Sequence, residues 1–281
     1  MTVNDWLIQA SNYLEKAEIE TTRLDTIILL EDCLSKDRSW ILSHPETQLS
    51  SKHIDSLNKL LKRRANHEPI AYIRGKTEFY GREFVLTPAV LEPRPETETM
   101  IELLIEIVRD GTTVPNDKHI LHIADVGTGS GAIGITVGLE IPNSIVELLD
   151  IDRNACKVAK MNVDKFTLNI SVTVSDLLAR SEKNFDILLC NLPYVPDSYH
   201  INRAALHEPR IAIFGGPDGL NVYRRLFDQI DKYALKPLLI LTEALPPQHM
   251  NLQSIAKQVD YQLIKTSDFI QVFKHNPQHT V

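Results

Sequence analysis

Two short segments carry residue types suited to chemistry. In Asp125-Val126-Gly127-Thr128-Gly129-Ser130-Gly131, three glycines alternate where an apolar strand turns into an apolar helix. Without a β-carbon, the backbone of such a turn can approach a ligand closely. Asp150 ends the next strand about twenty residues later, where a carboxylate can meet a ribose diol. The second segment is Asn191-Leu192-Pro193-Tyr194, directly after the apolar run FDILLC. Its residue types suit transfer of a group to a planar amide or amino nitrogen, whose delocalised lone pair makes it a poor nucleophile. The Asn191 side-chain oxygen and the Leu192 carbonyl can accept the two N–H groups of such a nitrogen. That would aim the lone pair and favour a pyramidal transition state. Tyr194 can pack on the flat face of the group, and Pro193 stiffens the turn without offering a competing N–H.

The glycine loop by itself leaves its ligand open. Gly129-Ser130-Gly131-Ala132-Ile133-Gly134 also satisfies the dinucleotide fingerprint, so a nicotinamide cofactor and S-adenosylmethionine both fit. The Asp-x-Gly-x-Gly-x-Gly spacing resembles motif I of the doubly wound S-adenosylmethionine-dependent methyltransferases. There the loop curves around the methionine part of the cofactor, and no pyrophosphate is bound. Asp176, with Leu177 at the end of the third strand, lies where that class contacts the adenine. A sulfonium leaving group is intrinsically reactive, so positioning for in-line transfer suffices without a metal or a strong base.

These residues need a sheet with helices on both sides to hold them. From residue 119 onward, HILHIADV, SIVELLD, ISVTVSD, FDILLC and PLLILTEAL read as strands alternating with helical segments, and YQLIK and FIQVFKH as a closing antiparallel pair. Strand–helix alternation of this length implies a mostly parallel, doubly wound α/β sheet, here of seven strands. Between FDILLC and Gly219 a long irregular loop is expected. Residues 1–70 read differently. Trp6, Leu7, Ala10, Tyr13, Leu14 and Ala17 recur at helical spacing, Thr21 or Thr22 can cap a second helix, and further helices are expected near Arg38–Leu42 and Ser50–Asn66. Residues 71–92 alternate aromatic and β-branched residues around Gly75 and Gly81, which predicts a β-hairpin linking the helical domain to the domain at 93–281. That domain opens on a helix with prolines in its first turn and Met100, Leu103, Leu104 and Ile107 on one face.

Composition narrows the classes further. The 281 residues include 30 basic and 37 acidic side chains, a net charge of −7, which argues against general binding of duplex nucleic acid. The run Lys62-Arg63-Arg64 is the one dense basic cluster and reads as a solvated helix face. Cys33, Cys156 and Cys190 are odd in number and widely separated, and His119 and His122 are the closest pair among ten histidines. Neither pattern has metal-ligand or disulfide-framework spacing, so no metal site is expected. The N-terminus lacks a signal-peptide pattern and no apolar run approaches a membrane span, so a cytoplasmic protein without membrane association is expected.

Taken in order, the motifs resemble those of the release-factor glutamine N5-methyltransferases, the family known as PrmC or HemK. The resemblance covers nearly the whole chain: the helical N-terminal region, GKTEFYGREF (75–84), LEPRPETE (91–98), DVGTGSGAIGI, Asp150, NLPY and HEPRIAIFGGPDGLNVYRR (207–225). LEPRPETE and FGGPDGL are the specific parts, because the wider methyltransferase class shares neither. The resemblance implies that Gly127, Thr128, Gly129, Ser130 and Gly131 hold the methionine moiety, Asp150 the ribose, and Asp176 and Leu177 the adenine. It also implies that Asn191 and Leu192 orient the glutamine of a Gly-Gly-Gln motif in a peptide-chain release factor, with Pro193 and Tyr194 completing the turn and Asn191 bordering the cofactor. The N-terminal helices would help to bind the factor. Arg94, Glu96 and Glu98 read equally well as charges of a helix's first turn.

Two departures stand out. The family's turn is Asn-Pro-Pro-Tyr, and here Leu192 replaces the first proline. The fifth strand tends to end in Glu-Ile-Gly with a nearby Gln, whereas this chain has Thr242-Glu243-Ala244, Pro246, Pro247 and Gln248. Other readings are an amino-methyltransferase of nucleic-acid bases and a non-catalytic relative that keeps S-adenosylmethionine binding. A nicotinamide oxidoreductase would give Asn191-Leu192-Pro193-Tyr194 no role.

Overall fold

The structure is a computed structural model and describes residues 1–111, 114, 120–180 and 184–276. His119 lies outside the described residues. The chain forms two compact units, Met1–Lys76 with Ile201–His207, and Thr77–His200 with Glu208–Val281.

The first unit is helical: α1 (Val3–Lys16), α2 (Thr22–Leu34), α3 (Arg38–Ser43), α4 (Ser51–Ala65) and α5 (Ile70–Arg74). Thr2 and Asp5 close a reciprocal capping box on α1, and Asp37 and Ser50 cap α3 and α4. Thr21 sits at the N-cap of α2, but its hydroxyl donates to Asp25 Oδ2 (2.7 Å) and caps no backbone N–H. Trp6, Leu14, Leu29, Leu30, Ile41 and Leu57 form the buried centre. The basic run is structural here. Arg64 Nε holds the buried Asp25 at 2.6 Å, and Arg63 pairs with Glu68, both arginines lying in the last turn of α4.

The helical unit extends past residue 70, correcting the expectation of a hairpin from residue 71. Pro69 presets the first turn of α5, Ala71, Tyr72 and Ile73 are buried, and Gly75 ends the helix in the left-handed region. A run of five residues alternates too briefly to distinguish a strand from a buried helical turn. The hairpin itself is β1 (Lys76–Phe79) and β2 (Arg82–Val85), with Tyr80 and Gly81 both at positive φ, as a tight two-residue hairpin loop requires.

In the second unit β3 (Leu121–Val126), β4 (Ser144–Asp150), β5 (Ser171–Val174), β6 (Ile187–Cys190), β7 (Leu239–Glu243), β8 (Tyr261–Ser267) and β9 (Ile270–His275) form one sheet in the order β5-β4-β3-β6-β7-β9-β8. β3 to β7 are parallel, and β9 runs antiparallel between β7 and β8. Alternate strand residues enter two cores. Ile123, Leu148 and Leu189 pack with α6 (Glu98–Asp110), α7 (Ala132–Glu140) and α8 (Arg153–Lys165). Val126, Leu149 and Cys190 pack with α10 (Asn221–Lys232) and α11 (His249–Lys257). Burial on both faces explains the unbroken apolar runs. Strand order reverses between β3 and β6, opening a crevice at their carboxyl ends, the usual ligand site of such sheets.

Two helices depart from the expectation drawn from sequence. The loop after β6 contains α9 (Arg210–Ile213), and α11 follows β7 where no helix is expected. The apolar signal of α11 is thin, with Leu252 and Ala256 one turn apart as its buried contacts.

Candidate active site

The glycine loop is braced from beneath by Asp125. Its Oδ2 accepts from the Thr128 hydroxyl (2.6 Å) and from Gly134 N (2.9 Å), which ties the loop to the first turn of α7. Burial pushes this carboxyl up to about 6, against those two hydrogen bonds. Gly127 N and Thr128 N donate to Leu149 O, and Gly129 N donates to Asp150 Oδ2 (2.9 Å). The loop therefore hangs from the end of β4. Gly127 has φ +74°, and a β-carbon there would lie 2.9 Å from Leu192 Cδ2. At Gly129 (φ +55°) a β-carbon would meet no atom within 4 Å. Asp150 also accepts from Asp152 N (2.9 Å), and burial raises its pKa. From α8, Asn162 is fully buried and its Nδ2 donates to Ser130 O (2.8 Å) and Val85 O (3.0 Å), while Oδ1 accepts from Val85 N (2.7 Å). One side chain thus joins the hairpin to the glycine loop.

The second segment leaves β6 beside this loop. Asn191 Nδ2 donates to Thr97 Oγ1 (3.2 Å), and the Tyr194 hydroxyl donates to Glu243 Oε1 (3.0 Å) at the end of β7. Burial raises the Glu243 pKa, while Thr97, Tyr194 and Asn191 act on the same carboxyl to favour its ionised form. Gln248 Nε2 donates to Tyr194 O (2.7 Å) and Asp218 O (2.8 Å). The buried Tyr223 hydroxyl sits 2.9 Å from Cys190 O and 2.6 Å from Glu243 O, and accepts from Glu243 N (3.2 Å) and Leu192 N (3.4 Å). It stitches the ends of β6 and β7 together. The Leu192 N–H that a proline would lack has its partner there.

A cavity of about 210 Å³ opens between the two segments. Of the residues singled out from sequence, Gly127, Thr128, Ser130, Asp150, Asp176, Leu177, Asn191, Leu192 and Pro193 line it. Gly129 and Gly131 shape the loop from behind, and the Tyr194 hydroxyl is turned to Glu243. Asp176 is half-exposed and held by Arg225, which also borders the cavity. Sequence reasoning missed Thr97, Phe214 and Arg225 in the lining, and Glu243 and Tyr223 behind it. Thr97 and Phe214 lie within the two specific segments, and Tyr223 and Arg225 directly follow the second, in NVYRR, so attention to the uncharged members of these stretches could have found most of them. Arg94 pairs with buried Glu208 (2.6 Å), and Glu98 accepts from Tyr80 N (2.7 Å).

The lining fits S-adenosylmethionine: Gly127, Thr128 and Ser130 of the loop, a carboxylate at the end of β4, and apolar walls from Ile133, Ile151, Leu177 and Val222 for a flat base. Sheet order, glycine loop and cavity define an S-adenosylmethionine-dependent methyltransferase. The sequence matches the family descriptions "PrmC N-terminal domain" over residues 5–75 and "Methyltransferase small domain" over 103–208. It is 36% identical over 242 residues to a release factor glutamine methyltransferase of Koribacter versatilis, spanning 84% of each chain. It is 34% identical over 226 residues to that of Coxiella burnetii, spanning 80% of this chain and 79% of the other. The chain belongs to the release factor glutamine methyltransferase family. A bifunctional methyltransferase of Rickettsia typhi is 36% identical over 84% of this chain, which covers 49% of that protein. The fold is shared with the hMettl16 catalytic domain, at 14% identity and a TM-score of 0.53 over 83% of this chain and 84% of that one. It is also shared with the T. thermophilus 16S rRNA N2 G1207 methyltransferase RsmC, at 16% identity and a TM-score of 0.51 over 72% and 50%. Among the described residues no helix is long and apolar enough to cross a membrane.

Proposed function

We propose that this enzyme methylates N5 of the glutamine side chain in the Gly-Gly-Gln motif of a peptide-chain release factor. The observation that carries the reading is that Asn191 and Leu192 share one cavity with Gly127 and Asp150. An amide acceptor pair thereby stands beside a cofactor loop. In the proposed arrangement the Gly127–Gly131 loop holds the methionine moiety, Asp150 the ribose, and Asp176 and Leu177 border the adenine. When bound, the cofactor supplies a methyl group activated by its sulfonium. Asn191 Oδ1 and Leu192 O accept the two N–H groups of the glutamine amide and turn its nitrogen toward that methyl. Pro193 holds the carbonyl in place and Tyr194 packs against the amide. The helical unit at 1–70 is the docking region for the factor, and a translation substrate implies a cytoplasmic enzyme.

The test is mass spectrometry of a purified release factor after incubation with the protein and labelled S-adenosylmethionine. One methyl group on the motif's glutamine, absent with Asn191→Ala, supports the reading. An unmodified glutamine, with labelled cofactor bound, overturns it and directs attention to nucleic-acid amines.

A further inference from the structure

Glu243 is 2% exposed, lies behind the cavity wall, and has no part in the mechanism just described. Its Oε1 accepts from Tyr194, and its buried Oε2 has no partner at full hydrogen-bond distance. Thr97 and Asn191 stand beside the same carboxyl. Asn191 in turn is held through its Nδ2 by Thr97 Oγ1. The directions of these bonds are not independent. A carboxylate only accepts, whereas a hydroxyl has one proton to give. With Glu243 ionised, the Thr97 proton is drawn toward the carboxylate, so Thr97 can meet Asn191 only as an acceptor. Asn191 must then present its NH₂ group to Thr97 and toward the neighbouring carboxylate, which leaves Oδ1 free for the cavity.

We propose that Glu243 is a positioning residue that fixes the amide orientation of Asn191, both directly and through Thr97. The proposal rests on the reading of Asn191 as the acceptor for a substrate N–H. With the amide reversed, Nδ2 would face the substrate's own N–H groups and repel them. Leu192 O would be left as the single acceptor. Glu243 touches neither substrate nor cofactor, and it acts by deciding which end of the Asn191 amide faces the cavity.

Neutron diffraction from deuterium-exchanged crystals of the full-length protein reads the orientation directly, whatever the substrate. The expected result is an Asn191 ND₂ group directed at Thr97, a Thr97 deuteron directed at Glu243, and no deuteron on the Glu243 carboxyl. In Glu243→Gln, the new amide can donate to Thr97, and the Asn191 amide should reverse or occupy both orientations. A deuterated Glu243 in the wild type, or an unchanged Asn191 in the variant, overturns the proposal. Kinetics supply the second arm. Glu243→Gln and Thr97→Val should each lower kcat by about 10- to 100-fold with the S-adenosylmethionine Kd unchanged, as expected for misoriented reacting groups. Thr97→Ser should restore kcat, and the double variant should be no worse than either single one. Losses that add, or that Thr97→Ser shares, would point to a merely structural role. Absence of glutamine methylation by the wild type would count against the proposed function and leave the diffraction result to judge Glu243.

Discussion

Leu192 closes directly on Gly127: its Cδ2 occupies the position that a glycine β-carbon would approach to 2.9 Å. The Asn191–Tyr194 turn and the glycine loop are therefore packed against each other, and the family departure at Leu192 falls at their contact. Gly127→Ala should combine the cost of a left-handed backbone, about 1–2 kcal/mol, with overpacking of about 1–3 kcal/mol. Calorimetric titration should show weakened S-adenosylmethionine binding. Adding Leu192→Ala should recover part of that loss, because the two residues share one space. Equal Kd values for the single and double variants would rule the contact out as the cause.

Removing the Tyr223 hydroxyl tests the stitch between β6 and β7. Tyr223→Phe leaves buried Cys190 O or Glu243 O without its donor, at about 1–3 kcal/mol. Denaturant unfolding should show that loss. The accompanying signature is a fall in kcat larger than any change in cofactor affinity, since the stitched carbonyls flank Asn191 and Glu243.

Asn162→Leu should destabilise the second unit by about 1–3 kcal/mol, because buried Ser130 O and the part-buried Val85 N and Val85 O would lose their partner. Hydrogen exchange should speed up at Val85, and cofactor binding should weaken through the loosened loop. Wild-type exchange at Val85 would show that the tie is dispensable.

Asp125 gives the protein a pH dependence of stability opposite to that of a salt-bridged carboxylate. Its folded pKa of about 6 lies above the unfolded value, so between the two the folded state binds more protons. Stability from this group is full below about pH 4, falls as pH rises to about 6, and remains lower beyond. The integrated difference is on the order of 3 kcal/mol. Urea unfolding of the wild type and Asp125→Asn from pH 4 to 7 should show the wild type losing ground to the variant by that amount. Asp150 is shifted in the same direction and remains in both proteins, so the comparison isolates Asp125.

The basic run at 62–64 is testable as a fold element. Arg64→Ala strands Asp25 without its buried cation and should cost the helical unit about 3–5 kcal/mol. Circular dichroism melting reads the effect. A large loss of nucleic-acid affinity with an unchanged melting temperature would instead make the run a binding surface.

The parallel sheet and both chemical segments were legible in sequence because each rests on a local pattern. Strands buried on two faces give unbroken apolar runs, and a loop that must approach a ligand closely requires Gly127, Gly129 and Gly131. What the sequence concealed is long-range. Nothing near Glu243 announces that its carboxyl meets Tyr194, 49 residues earlier, and nothing near Thr97 announces Asn191. Helix α11 was hidden because a short helix with two buried apolar residues, Leu252 and Ala256, leaves little periodicity. Residues 70–74 misled because tertiary burial of Ala71, Tyr72 and Ile73 decides between helix and strand, and local alternation does not.

The segment Ile201–His207 belongs to the helical unit although it follows the Asn191–Tyr194 turn in sequence. Arg203 pairs there with Glu18, and His207 hydrogen-bonds Asn66 O. The polypeptide therefore passes between the two units three times. Neither unit is a cassette that a single recombination event could transplant. A chain begun at Thr77 would keep both chemical segments and lose Glu18, Asn66 and His67, the partners of Arg203 and His207, so a graft of the helical unit onto another methyltransferase would have to carry this seven-residue return with it.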